Sequence, residues 1–188
     1  MKKRIFIAIN LDQATRRAIE TEVQELKTLF HDRVRFVDSE NWHITISFLD
    51  YQEDPAIGLI VRALQEYAPQ LAAPEVHFEK IHYGPSDRDR RMIWLVGSSQ
   101  ASAKLGVIKK DLDDRFMEAG IRFKREHRLF QAHLTLVRFG YAPEALPALD
   151  RSIDCGFTAK SLDLMESVLK PAGPEYSLLS RFDFLSES

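Results

Sequence analysis

Two stretches of this chain share one pattern. The first is Trp42-His43-Ile44-Thr45-Ile46-Ser47-Phe48-Leu49, and the second is Ala132-His133-Leu134-Thr135-Leu136-Val137-Arg138-Phe139. Both read His, apolar, Thr, apolar, and both alternate as β-strands do, with frequent β-branched residues. Residues two apart in a strand share a face, so His43 and Thr45 lie on one side, roughly 6–7 Å apart. Ile44, Ile46 and Phe48 fall on the other side and are expected in a core. The second stretch repeats this with His133 and Thr135 against Leu134 and Leu136. From composition alone, two such repeats arise by chance at the order of one in a thousand. A chain built on this pair needs two strands that each bury one face and present a His-Thr pair on the other.

The intervening sequence supplies the rest of an α+β fold. Arg4 to Asn10 reads as a buried strand. Asp12 is a helix cap, and Ala14, Ala18, Ile19, Val23, Leu26, Leu29 and Phe30 recur at helical spacing up to about Phe30. Val34 to Val37 is a short strand, and Asp38 to Asn41 a turn. Pro55 opens a second helix that ends before Pro69. Strands are expected at Val76 to Tyr83 and Met92 to Val96, around a turn at Gly84 to Asp87. A third helix runs from about Ser99 to Ala119 and stops at Gly120. Pro143 and Pro147 punctuate the segment after the second motif. Cys155 to Lys160, Leu162 to Leu169 and Tyr176 to Phe184 close the chain as strands, with a turn at Lys170 to Pro174. The motifs lie 90 residues apart, a weak internal repeat without the glycine-rich phosphate loops of doubly wound folds. The expected architecture is α+β, mainly antiparallel, with residues 1–188 forming one bilobal domain.

Charge and cysteine content narrow the function. The net charge of −2 argues against tight, sequence-independent binding to long nucleic acid. A small or terminal RNA ligand in a local basic cleft remains compatible with it. Cys155 is the only cysteine, so it makes no internal disulfide and no cysteine cluster for zinc. It fits a reducing cytoplasm. The N-terminus has no run long enough for a signal peptide or a membrane span.

Imidazole titrates nearest neutral pH, so one histidine can accept a proton while another donates one. Threonine hydroxyls can donate hydrogen bonds to phosphate oxygens. The paired His-x-Thr motifs resemble the signature of the two-histidine phosphoesterase superfamily, and most closely its RNA 2′,3′-cyclic phosphodiesterase (2′-5′ RNA ligase) family. The likeness covers nearly the whole chain: Arg4-Ile5-Phe6-Ile7-Ala8-Ile9, the first motif, Ile93-Trp94-Leu95 and the second motif come in the family's order. One departure is Ala132, where relatives often have proline.

The resemblance implies two pseudo-symmetric lobes of antiparallel sheet with outer helices and a cleft between the sheets. It implies His43 and His133 as catalytic acid and base, and Thr45, Thr135 and Arg138 as substrate ligands. It implies no metal and no cofactor. The substrates would be RNA ends or small cyclic nucleotides, with no membrane partner, and the chain would act as a cytoplasmic monomer. The reaction would open 2′,3′-cyclic phosphates to 2′-phosphates, with a reverse 2′-5′ ligation. The competing reading is a nucleotide-binding module with little turnover; a metal-dependent phosphatase is weaker. Simple alternation turns Arg138 away from the His-Thr face, and only a bulge or the strand's end after Leu136 would bring it back.

Other residues read as structural. His31 and His127 sit in polar, exposed segments, and His77 and His82 on a partly exposed strand. Asp111, Asp113 and Asp114 read as a solvated helical face rather than a metal site, since only 111 and 114 are helical neighbours. Tyr83 and Phe48 are aromatic candidates for base stacking, but the parity of Phe48 places it in the core.

Overall fold

The computed structural model describes residues 1–30, 34–86, 88–140, 146–171 and 173–185. Nine strands and three helices stand among them: β1 Lys2–Asn10, α1 Gln13–Leu29, β2 Val34–Phe36, β3 His43–Glu53, α2 Asp54–Tyr67, β4 Glu75–Ser86, β5 Asp89–Gly97, α3 Ser99–Glu118, β6 His133–Phe139, β7 Asp150–Thr158, β8 Ser161–Lys170 and β9 Gly173–Asp183. The expected strands and helices are present, with the strand expected at Cys155 to Lys160 running from Asp150 to Thr158 and Asp87 of the expected turn outside the described residues. The main change is at Gly84-Pro85-Ser86, expected as a turn, which continues strand β4 opposite Met92, Arg90 and Asp89. The helix starts follow local chemistry. Asp12 accepts a hydrogen bond from the Thr15 amide at 2.8 Å, and Ser98 accepts one from the Ala101 amide at 3.0 Å, so each satisfies a free N–H of the first turn.

The strands form two sheets, ordered β3-β1-β8-β9 and β2-β6-β5-β4-β7, with every named pairing antiparallel. Neither sheet is one half of the sequence. The first takes β1 and β3 from the N-terminal half and β8 and β9 from the C-terminal end. The chain passes to the second sheet through α1 and through α2. Each sheet has one face in a common core. Ile5, Ile7 and Ile9 of β1 and Ile44, Ile46 and Leu49 of β3 share it with Phe78, Leu95, Leu134 and Leu136 of the second sheet. The opposite face of β1 carries Phe6 and Ala8, which pack with Met165 and Tyr176 in a small separate cluster. That face borders the cleft between the sheets. Among the described residues, no helix is long and apolar enough to cross a membrane.

A buried charge pair ties α3 to β3. Lys109 Nζ lies 2.9 Å from Asp113 Oδ2, and the Ser47 hydroxyl donates to Asp113 Oδ1. Asp113 is 1% exposed and Ser47 equally buried, which corrects the expectation of a solvated Asp113. Its neighbours behave differently: Asp114 pairs with Lys110 and Arg125 at the surface, and Asp111 accepts from the Tyr67 hydroxyl. Helical spacing allowed Lys109 and Asp113 to meet; the approach of β3 buried them. Removing one partner leaves an uncompensated buried charge. Asp113→Ala should therefore lose about 3–5 kcal/mol in denaturant unfolding, whereas Asp114→Ala should lose under about 1 kcal/mol.

Candidate active site

His43 and His133 begin β3 and β6, the strands that bring the two sheets together. Each ring is fixed by the backbone two residues earlier. His43 Nδ1 lies 2.8 Å from the Asn41 carbonyl oxygen, and His133 Nδ1 lies 2.8 Å from that of Gln131. A carbonyl only accepts, so Nδ1 carries the proton and Nε2 is the free nitrogen of the neutral ring. Asn41 and Gln131 are themselves 90 residues apart, so the repeat extends to the orienting contact.

The repeat extends further to a β-bulge. Thr45 pairs with Ala8 and Ser47 with Ile7, which leaves Ile46 as an extra residue; Thr135 pairs with Trp94 and Val137 with Ile93, which leaves Leu136 extra. Each extra residue reverses the alternation that follows. Ile46 with Ser47, and Leu136 with Val137, are accordingly both buried. The next residue, Phe48 in one strand and Arg138 in the other, turns to the His-Thr face. Phe48 is thus corrected from core to cleft: it is 40% exposed. Arg138 reaches the cleft by the bulge that alternation required.

His43, Thr45, His133, Thr135 and Arg138 all line one cavity of about 350 Å³ between the sheets. Sequence patterning does not point to Arg4, Phe6 or Tyr176, which line it as well. Arg4 donates to the Ser167 hydroxyl at 3.0 Å, and its guanidinium lies 4.5 Å from the centre of the Phe48 ring. Tyr176 meets the His43 ring edge-on at 5.0 Å, with Phe6 at 4.9 Å. Their only sequence signal is alternation in strands whose position is set by distant pairing. Tyr83, in contrast, is buried in the core with its hydroxyl on the Pro147 carbonyl, away from any stacking role. His77 and His127 lie outside the cavity, and His31 and Pro143 fall outside the described residues. Among the described residues, no group of three or more His, Cys, Asp or Glu is placed to hold a metal ion.

The second histidine rests on Trp94, whose ring stacks on it at 3.8 Å. The indole in turn covers the backbone of Gly84. A Cβ at Gly84 would overlap the indole ring, so only glycine permits this approach. Ala132, the departure noted in the second motif, donates its amide to Ser102 Oγ at 3.0 Å. A proline has no such donor, so here a hydrogen bond fixes the start of β6.

Both imidazoles are held below the usual histidine range. Removal from water pushes His43 down to about 4, with the Asn41 carbonyl opposing and the charges of Arg138 and His133 adding to the fall. His133 is lowered by burial first, opposed by the Gln131 carbonyl, with Arg128 and Arg138 lowering it and Glu126 raising it. In both cases burial favours the neutral ring.

Two facing antiparallel sheets each deliver a His-x-Thr pair followed by the same bulge. A family model described as LigT-like phosphoesterase matches residues 9–94. It is 25% identical over 186 residues to an RNA 2′,3′-cyclic phosphodiesterase of Methanocaldococcus jannaschii, covering 95% of this chain and 99% of the relative. The protein of that name from Archaeoglobus fulgidus is 25% identical, with 96% and 99% covered. The fold matches that of TT0787 of Thermus thermophilus with a TM-score of 0.84 at 19% identity, covering 98% of this chain and 100% of the other. It also matches E. coli LigT complexed with 3′-AMP with a TM-score of 0.77 at 21% identity, covering 99% and 100%. The chain is a phosphoesterase.

Two outcomes test this site. Gly84→Ala should cost about 1–3 kcal/mol by overpacking and change the fluorescence of Trp94, read by denaturant unfolding with tryptophan emission. Because His43 takes up its proton near pH 4 when folded and near 6.5 when unfolded, stability should fall as pH drops through that window, by on the order of 3 kcal/mol. His43→Gln should flatten that part of the stability–pH curve.

Proposed function

We propose that this chain hydrolyses 2′,3′-cyclic phosphate ends of RNA to 2′-phosphates without a metal ion, using His43 and His133 as an acid/base pair. The observation that carries this reading is the matched pair of imidazoles, one from each sheet. Each has Nδ1 tied to a backbone carbonyl, and they share one cavity of about 350 Å³ with two threonines and Arg138. The names of the archaeal relatives support the substrate.

Water attacks phosphorus in line with the ribose 3′ oxygen. His133 takes the proton from water; the P–O3′ bond breaks; His43 gives a proton to O3′. The negative phosphate offsets the desolvation that keeps His43 neutral in the empty cleft, so the acid is charged when substrate is bound. Thr45 and Thr135 donate to the non-bridging oxygens, and Arg138 offsets the charge that builds there. With a 5′-hydroxyl in place of water, the same two groups join RNA by a 2′-5′ bond without ATP, and the reaction is reversible. A binding module with this fold needs neither free nitrogen, which sets the hydrolytic reading above it. We also propose that residues 1–188 act as one bilobal monomer.

An oligonucleotide with a 2′,3′-cyclic end should yield the 2′-phosphate in EDTA; activity lost in EDTA and restored by a divalent ion would refute the metal-free reading. His43→Ala or His133→Ala should lower kcat by about 10²–10⁴-fold, and the double variant should lose less than the product of the two. Thr45→Ala or Thr135→Ala should cost at most about 10²–10³-fold. A highly acidic leaving group should partly rescue His43→Ala; rescue of the His133 variant alone would reverse the two roles. Arg138 depresses both histidines, so Arg138→Gln should move the kcat/KM–pH profile toward higher pH as well as lowering activity.

A further inference from the structure

A second cavity, of about 450 Å³, adjoins the first and shares Thr45, Phe48 and His133 with it. Its far wall is the irregular segment between α3 and β6, which contributes Lys124, Arg128 and Phe130; Trp94 and Pro85 line the near side. Resting on the phosphodiesterase reading above, we propose that this cavity is the subsite for the nucleotide preceding the cyclic end, so that the enzyme prefers an RNA strand to a cyclic mononucleotide.

Substrate chemistry sets the direction. A 2′,3′-cyclic phosphate closes the 3′ end, so everything else in an RNA lies on its 5′ side. A strand whose cyclic phosphate sits between His43 and His133 must leave the first cavity. The shared residues open that path into the second, past the ring of Phe48.

The second cavity has the chemistry of a single-strand path. Phe48 and Phe130 offer aromatic surface for a base of any identity. Lys124 is exposed, and among the described residues it makes no ion pair. Arg128 is paired only with the neighbouring Glu126, at 3.2 Å, among the described residues, and Glu126 also lines the cavity, which leaves Lys124 as its unpaired cation. Lys109 also lines the wall, but its charge is held by Asp113. Aromatic faces interleaved with cations, joined directly to a phosphate site, fit a nucleotide with its phosphate on Lys124. The overall charge of −2 restricts this attraction to the cleft.

Lys124 lies outside the acid/base machinery and is exposed, so Lys124→Ala should fold normally. Turnover is measured on a 2′,3′-cyclic mononucleotide and on a trinucleotide with the same cyclic end. Wild type should show the lower KM for the trinucleotide. Lys124→Ala should raise that KM about threefold to tenfold at low salt and reduce its salt dependence by about one charge. Lys124→Glu should raise it further, with both mononucleotide constants unchanged. Anisotropy of a 5′-labelled trinucleotide ending in a 2′-phosphate reads the subsite without turnover, and its affinity should fall in the same order. Equal changes on both substrates, or no change in trinucleotide KM and affinity, would overturn the subsite. If neither substrate turns over yet the labelled strand still weakens with Lys124→Ala and Lys124→Glu, the phosphodiesterase reading fails and the subsite stands.

Discussion

The site depends on an extra residue in each of two strands. A regular strand after His-x-Thr would send the fifth residue beyond the histidine to the core side. One inserted residue, Ile46 in β3 and Leu136 in β6, sends it to the cleft instead. The same irregularity lets two successive side chains face inward, which binds the strand more tightly to its own core. In β3 one of these is Ser47, held by the buried Asp113–Lys109 pair of α3. In β6 it is Val137, which packs through apolar contact alone. The two lobes share a backbone device but anchor it by different chemistry.

From this device follows the asymmetry of the cleft. Phe48 and Arg138 occupy equivalent positions, yet one is an aromatic platform backed by Arg4 and the other a cation lying against Met92 Sδ. The repeated backbone contact and bulge hold the two imidazoles alike on their own strands; unequal side chains give them unequal surroundings. His43 is packed by Phe6 and Tyr176, and His133 is stacked on Trp94 beside Arg128 and Glu126. Desolvation comes first among the causes that hold both rings below the usual histidine range, and the charge of Arg138 adds to it in each.

Much of this is legible in the chain. His43 with Thr45 and His133 with Thr135 are visible because strand alternation is a local property, and the helix cap Asp12 because capping is local too. Family likeness points to Arg138, while alternation argues against it. The same alternation misplaces Phe48, and helical spacing makes Asp113 look like a surface residue. Bulges and ion-pair burial arise from the pairing of segments tens of residues apart, such as β1 with β3 or α3 with β3, and no window of sequence contains both partners. Arg4, Phe6 and Tyr176 reach the site only when β1 and β9 enter the same sheet.

The sequence by itself determined the element types, the two polar pairs and the chemistry those groups can perform, because propensity, periodicity and side-chain pKa belong to short segments. Tertiary structure decided which residues share a cavity, which way the strands turn after the motif, and how far the imidazoles are lowered. Those depend on register between distant strands and on exclusion of water, and both exist only once the two sheets close on each other.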